Sequence, residues 1–201
     1  MSLKLPPLPP IGGPTSGRSV LDVLAEQHGE LLELCHRLIE GSAADRGRVA
    51  QVVSATLSRH LSGEQQYLYP AVRQAVPHGE PIVGRELAAD RDLLTALRRL
   101  DAAGAADPDF GRLAAGVAQG VRRHVAAGTG ESLPLLARTV PVEDLIRIGN
   151  RLETAEEAAP TRPHPATPST PPWNKMVEPL VAVADKARDV LTGRVTRPDD
   201  L

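Results

Sequence analysis

Over residues 19–158 apolar side chains recur at spacings of three and four, which puts them on one face of successive helices. From Val20 to about Glu40 the stripe runs through Leu21, Leu24, Leu31, Cys35 and Leu38, with Ser19 as its N-cap and His28 filling the gap. From about Arg46 to Ala75 it runs through Val53, Leu57, Leu68 and Ala71, and the same seam carries His60, Glu64 and Tyr67. Pro70 is expected to kink the end of this helix, because its ring removes a backbone donor and crowds the preceding turn. Pro77, His78, Gly79 and Pro81 then mark a turn before a third helix, about Ile82 to Ala102. Its seam of Val83, Leu87, Leu94, Leu97 and Leu100 is interrupted by Asp90. Asp107 as N-cap and Pro108 at the first helical position announce a fourth helix, in which Phe110, Leu113, Val117 and Val121 lead to His124.

Four helices of this length, each with one apolar stripe to bury and short links between them, predict an all-α, antiparallel up-down four-helix bundle. A shorter fifth helix is expected from Val142 to about Ala158. Outside this domain of residues 19–158 the pattern changes. Residues 1–18 read as a Pro/Gly-rich arm and residues 159–173, with the run APTRPHPATPSTPP, as a Pro-rich linker of polyproline character. Residues 174–201 form a C-terminal amphipathic helix and tail, with Val177, Leu180, Val181, Ala184 and Leu191 on its apolar side.

Composition narrows the function classes. Phe, Tyr and Trp make up only 2% of the chain, so the core is expected to rest on Leu, Val and Ala. A net charge of -2 lacks the positive excess that binding a phosphate backbone requires, which argues against nucleic acid as a partner. Cys35 is the single cysteine, so one chain cannot build a disulfide framework or a Cys-based zinc or iron–sulfur site. No stretch approaches the roughly 18 apolar residues of a membrane span, and the N-terminus has no apolar core of a signal peptide. A cytoplasmic location is the expectation.

The chemistry sits on the seams. An imidazole or carboxylate buried without a partner costs roughly 1–3 kcal/mol, so one on the inner stripe of each of four helices needs an explanation that a shared ligand supplies. His28, His60 with Glu64, Asp90 and His124 are therefore candidate ligands of a hard or borderline cation. His60 and Glu64 are one helical turn apart and share a face. Taken alone, each histidine could equally be a core residue bonded to a neighbour, and Tyr67 could be core packing, a phenolate ligand or a donor to Glu64. There is also an internal echo: His60 precedes Leu68-Tyr69-Pro70 as His124 precedes Leu133-Pro134, with the same distance from His to Pro. In that alignment Glu64 corresponds to Gly128 and Tyr67 to Glu131.

The segments LAEQHGELLEL, RHLSGEQQYLYP, LAADRDLLTAL and RRHVAAGTGESLPLL together resemble the hemerythrin-type HHE family, whose four helices supply His, His-x-x-x-Glu, His and His-x-x-x-Glu. The closing APTRPHP, PPWNK and TGR elements are similar to the tail of actinobacterial members. The resemblance implies that His28, His60, Glu64 and His124 are metal ligands, and that the metal is non-haem iron, as one or two ions, or another divalent metal. Two positions depart from the pattern: Asp90 stands for the third-helix histidine and can still donate oxygen, whereas Gly128 stands for the fourth-helix carboxylate and cannot. A bundle distorted at Gly128 and Gly130 would let Glu131 turn inward as a substitute, with Tyr67 as a further additional ligand.

Members of the family usually hold two bridged irons with an open position for a small molecule, so the resemblance implies handling of dioxygen, nitric oxide, peroxide or iron itself. The residues do not separate a store or sensor from an oxidase or peroxidase. A competing reading is a degenerate, metal-poor scaffold that serves as a protein-interaction module. The terminal helix is expected to pack on its own bundle, on a second copy or on a partner protein rather than on a membrane. Glu-x-x-His pairs, a poised nucleophile and phosphate-binding loops are not found at the required positions.

Overall fold

The computed structural model describes residues 16–165 and 173–201, with side chains described outside 166–180. The N-terminal arm through residue 15, the linker over 166–172 and the expected apolar contacts of Val177 and Leu180 lie outside these residues.

Each expected helix forms. Ser19 caps α1 (Val20–Glu40) by accepting from the Asp22 backbone N–H, and Asp22 adds negative charge to the first turn. The second helical run divides into α2 (Arg46–Gly63), a π turn (Glu64–Leu68) and α3 (Tyr69–Ala75). Pro70 explains the division: without an N–H it cannot continue the α ladder, and the chain widens so that the Tyr69 N–H bonds the Glu64 carbonyl instead. The expected kink is thus a π turn upstream of the proline. The third helix, α4 (Gly79–Ala103), starts before Pro81, which sits in the first turn where a donor is not needed.

α5 (Phe110–Ala127) begins later than its expected cap. Asp107 accepts from the Asp109 backbone N–H at 2.7 Å, forming a turn that holds Pro108 outside the helix. The echo of Pro70 then plays out at Pro134, with a second π turn (Gly128–Ser132) before α6 (Leu133–Thr139). α7 (Val142–Ala158) packs on α1 and α2, and α8 (Trp173–Thr192) follows. Among the described residues no helix is long and apolar enough to cross a membrane.

The apolar side chains form two clusters separated along the bundle axis. One contains Leu24, Leu68, Leu87 and Leu133, the other Leu31, Leu57, Leu93 and Val121. Each of the four helical runs, α1, α2 through α3, α4 and α5 through α6, contributes to both, so the residues between these positions on every run form a layer across the middle. That layer holds His28, His60, Glu64, Asp90 and His124, all buried.

The C-terminal segment is fastened to the same bundle by polar contacts. Arg194 donates to Asp101 Oδ2 at 3.0 Å, where Ser54 Oγ also donates, and Arg59 donates to the Thr196 carbonyl. The part of the expected linker that is described is anchored as well: Thr161 bonds Asp189, and His164 Nε2 lies 2.9 Å from Asp185 Oδ2.

Candidate metal centre

His28 from α1, His60 and Glu64 from the α2–π junction and His124 from α5 each offer a donor atom within 4.8 Å of all the others. The three imidazoles stand edge to face, with ring centroids 5.1, 5.3 and 5.6 Å apart. Glu64 lies in their midst. Its carboxylate is 3.5 Å from His60 Nε2, 3.3 Å from His124 Nε2 and 3.9 Å from His28 Nε2. The whole group is at most 5% exposed.

A cation fits this group on two counts. Among the described residues neither ring nitrogen of His28 has a hydrogen-bond partner, although a buried donor or acceptor left unmatched costs roughly 1–3 kcal/mol. The donor set of imidazole nitrogen and carboxylate oxygen is also that of a borderline divalent ion such as iron or zinc. These residues would hold it.

Electrostatics divides the histidines. Burial drives His60 down to about 3, so its imidazole is neutral at every ordinary pH. Burial opposes charge on His124 too, but Glu64 and Asp90 outweigh it and raise that imidazole to about 9. Burial likewise works against ionised Glu64, yet His124 and His60 hold its carboxyl down to about 2. At neutral pH the centre therefore carries an anionic Glu64, a neutral His60 and a protonated His124. Since a metal ligand must be deprotonated, an ion held by His124 would have to displace its proton. Its affinity should rise about tenfold per pH unit up to about pH 9 and level off above it. Titration calorimetry at pH 7.5 in buffers of different ionisation enthalpy should register about one proton released per ion, and release of none would contradict this charge distribution.

The other expected ligands are placed differently. Asp90 stands behind His124, with Oδ1 3.3 Å from Nδ1, while Oδ2 accepts from Tyr69 at 3.0 Å and Gln65 at 3.2 Å. Tyr67 is fully buried with the Arg151 guanidinium acting on its phenol, and burial pushes that phenol up to about 12. It is Tyr69 that reaches the centre, its single O–H shared between Asp90 Oδ2 and Glu64 Oε2, the latter 3.1 Å away. The π turn causes this exchange, since it turns the residue five positions after Glu64, rather than three, toward the same side. Glu131 is exposed and pairs with Arg85 through both oxygens, at 2.9 and 2.7 Å. Gly128 faces the centre: a Cβ there would meet His28 Cε1 at 3.4 Å.

Three polar residues near the centre carried no signal in the seam pattern. Glu86, one turn before Asp90, is buried and raised to about 7 by its loss of solvent. Gln27 accepts from or donates to nothing predictable by periodicity, yet its amide joins His60 Nδ1 at 2.9 Å to Glu156 of α7 at 2.7 Å. Burial raises Glu156 to about 8.

The family model described as the hemerythrin HHE cation binding domain matches residues 19–136. An uncharacterized hemerythrin-like protein of Schizosaccharomyces pombe is 21% identical over 136 residues, covering 67% of each chain. No solved structure matches.

Proposed function

The chain belongs to the hemerythrin HHE cation-binding family, and on that premise we propose that His28, His60, Glu64 and His124 hold one non-haem metal ion, in the first instance iron, for work on a small ligand. The observation that carries the reading is the convergence of four buried donors from three helices, with both nitrogens of His28 otherwise unmatched. One carboxylate among three imidazoles favours a single ion over a bridged pair, because Gly128 offers no second bridge and Glu131 is turned to Arg85. Asp90 takes the outer role of a carboxylate behind a metal-bound histidine, fixing the orientation of His124 from its Nδ1 side.

When bound, such an ion would supply open coordination positions suited to dioxygen, nitric oxide or peroxide. The chain contributes a dry layer between two apolar clusters and a way in. A cleft of about 290 Å³ between α4 and α5 is lined by Ala89, Leu93, Gly116 and Gly120 and by Glu86 and His124. The Arg85–Glu131 pair lines its exposed end. A Cβ at Gly116 would meet nothing within 4 Å, so Gly116→Leu would add bulk at the wall of this cleft without a clash at Cβ. In iron-loaded protein that variant should slow nitric oxide association about tenfold or more in stopped flow, with metal content unchanged, and an unaltered rate would exclude the cleft as the route. The lone, buried Cys35 suits a reducing compartment, and the reading extends to the cytoplasm.

Elemental analysis with an absorption spectrum, on protein from iron-supplemented cells, tests the reading. About one ion per chain is expected, falling sharply in His60→Ala; a colourless wild-type protein with less than ~0.2 ion per chain would overturn it. That result would favour the second reading, a metal-poor scaffold that engages a partner, to which the exposed Val183, Val190 and Leu191 of α8 lend themselves.

A further inference from the structure

The fifth helix lies beyond the residues matched by the family model, yet it reaches the metal centre. Glu156 of α7 accepts from Gln27 Nε2 at 2.7 Å, and the Gln27 Oε1 at the other end of that amide is 2.9 Å from His60 Nδ1. An amide has one donor end and one acceptor end. With its nitrogen donating to Glu156 Oε2, an arrangement enforced above about pH 8 where Glu156 is ionised and can only accept, its oxygen faces His60, and a proton on Nδ1 satisfies that contact. The close approach of α7 depends on Gly63, where a Cβ would meet Glu156 Cγ at 2.9 Å and Leu152 Cγ at 3.1 Å.

The consequence for His60 is a fixed tautomer. A proton on Nδ1 leaves the lone pair on Nε2, the atom that faces Glu64 at 3.5 Å and His124 at 3.1 Å. Gln27 also neighbours His28 in the chain, so one turn of α1 carries both a ligand and the group that aligns the ligand opposite. Gln27 and Glu156 together line a cleft of about 1470 Å³ under the C-terminal segment, with Arg59, Lys186 and Arg197 around it. The relay thus runs from that cleft to the buried imidazole.

We propose that Glu156 and Gln27 are positioning residues that hold His60 as its Nδ1–H tautomer, with the Nε2 lone pair turned to the metal. The inference rests on the metal-binding reading for its purpose, but its hydrogen bonds exist without metal and can be tested alone. Long-range proton–nitrogen correlation spectra of full-length, metal-free protein labelled in histidine should show His60 protonated at Nδ1. In Gln27→Leu, the Nε2–H form should appear, and cobalt(II) affinity should drop about 10- to 100-fold with the same amount bound at saturation. The double change Gln27→Glu with Glu156→Gln restores an acceptor at His60 and a donor behind it, and should recover both the tautomer and the affinity. Glu156→Gln alone supplies a milder test, with a partial shift toward Nε2–H.

A wild-type His60 protonated at Nε2 would overturn the proposal. So would a Gln27→Leu protein that keeps the Nδ1–H form and binds cobalt within about twofold of wild type. An Nδ1–H His60 in a wild-type chain that binds no cobalt would uphold the relay and sink the metal reading.

Discussion

Glu64→Gln is expected to weaken metal binding at least about 100-fold, beyond the roughly 10- to 100-fold typical of losing an outer partner. Glu64 supplies the only carboxylate in the group of converging donors and lies within 3.9 Å of all three imidazoles. The glutamine keeps the shape and one oxygen but removes the charge that offsets a divalent ion in a dry layer. The metal-free state should report the same loss independently. Without Glu64, burial is opposed on His124 chiefly by Asp90, so the His124 titration should move down from about 9. Competition with a chromogenic chelator gives the affinity and histidine NMR gives the titration. An affinity within about tenfold of wild type would mean that Glu64 is not a ligand.

The second large effect runs in the opposite direction. Gly128→Glu should carry the chain from about one ion toward two, because it restores the carboxylate that the family pattern has one turn after the fourth-helix histidine. The position is ready for it. A Cβ there would make an ordinary contact with His28 Cε1 at 3.4 Å and reach no backbone, so the side chain is directed at the centre and not at solvent. Inductively coupled plasma analysis at saturating iron measures the ratio. A ratio that stays at about one would place the obstacle to a second ion elsewhere, with Asp90 in the role of the family's third histidine as the first suspect.

Much of this was legible from spacing because helix seams obey one rule. Leu24, His28 and Leu31, or Leu57, His60 and Glu64, read as inward positions without any knowledge of their neighbours, and they are buried as expected. Ser19 capped its helix for the same local reason. What escaped was set by the backbone or by contacts distant in sequence. The π turns exchange Tyr67 for Tyr69, and a wheel of constant pitch cannot anticipate them; Pro70 and Pro134, at equal distances from their histidines, were the available signal. Asp107 looked like a cap, but a bond to the Asp109 N–H closes a separate turn and moves the helix start. Glu131 had the charge of a ligand, and Arg85 supplies it with a surface partner that costs less than burial. Glu156 lies 129 residues from Gln27, a pairing that no local pattern encodes.

One cation is proposed to sit among four named side chains. Crystals of the full chain grown with iron, and measured on either side of the iron absorption edge, test it most directly. One anomalous peak is expected, enclosed by His28, His60, Glu64 and His124, with Asp90 outside bonding distance on the far side of His124. A clean map with no peak in that layer, or a peak held only by surface carboxylates, would contradict it.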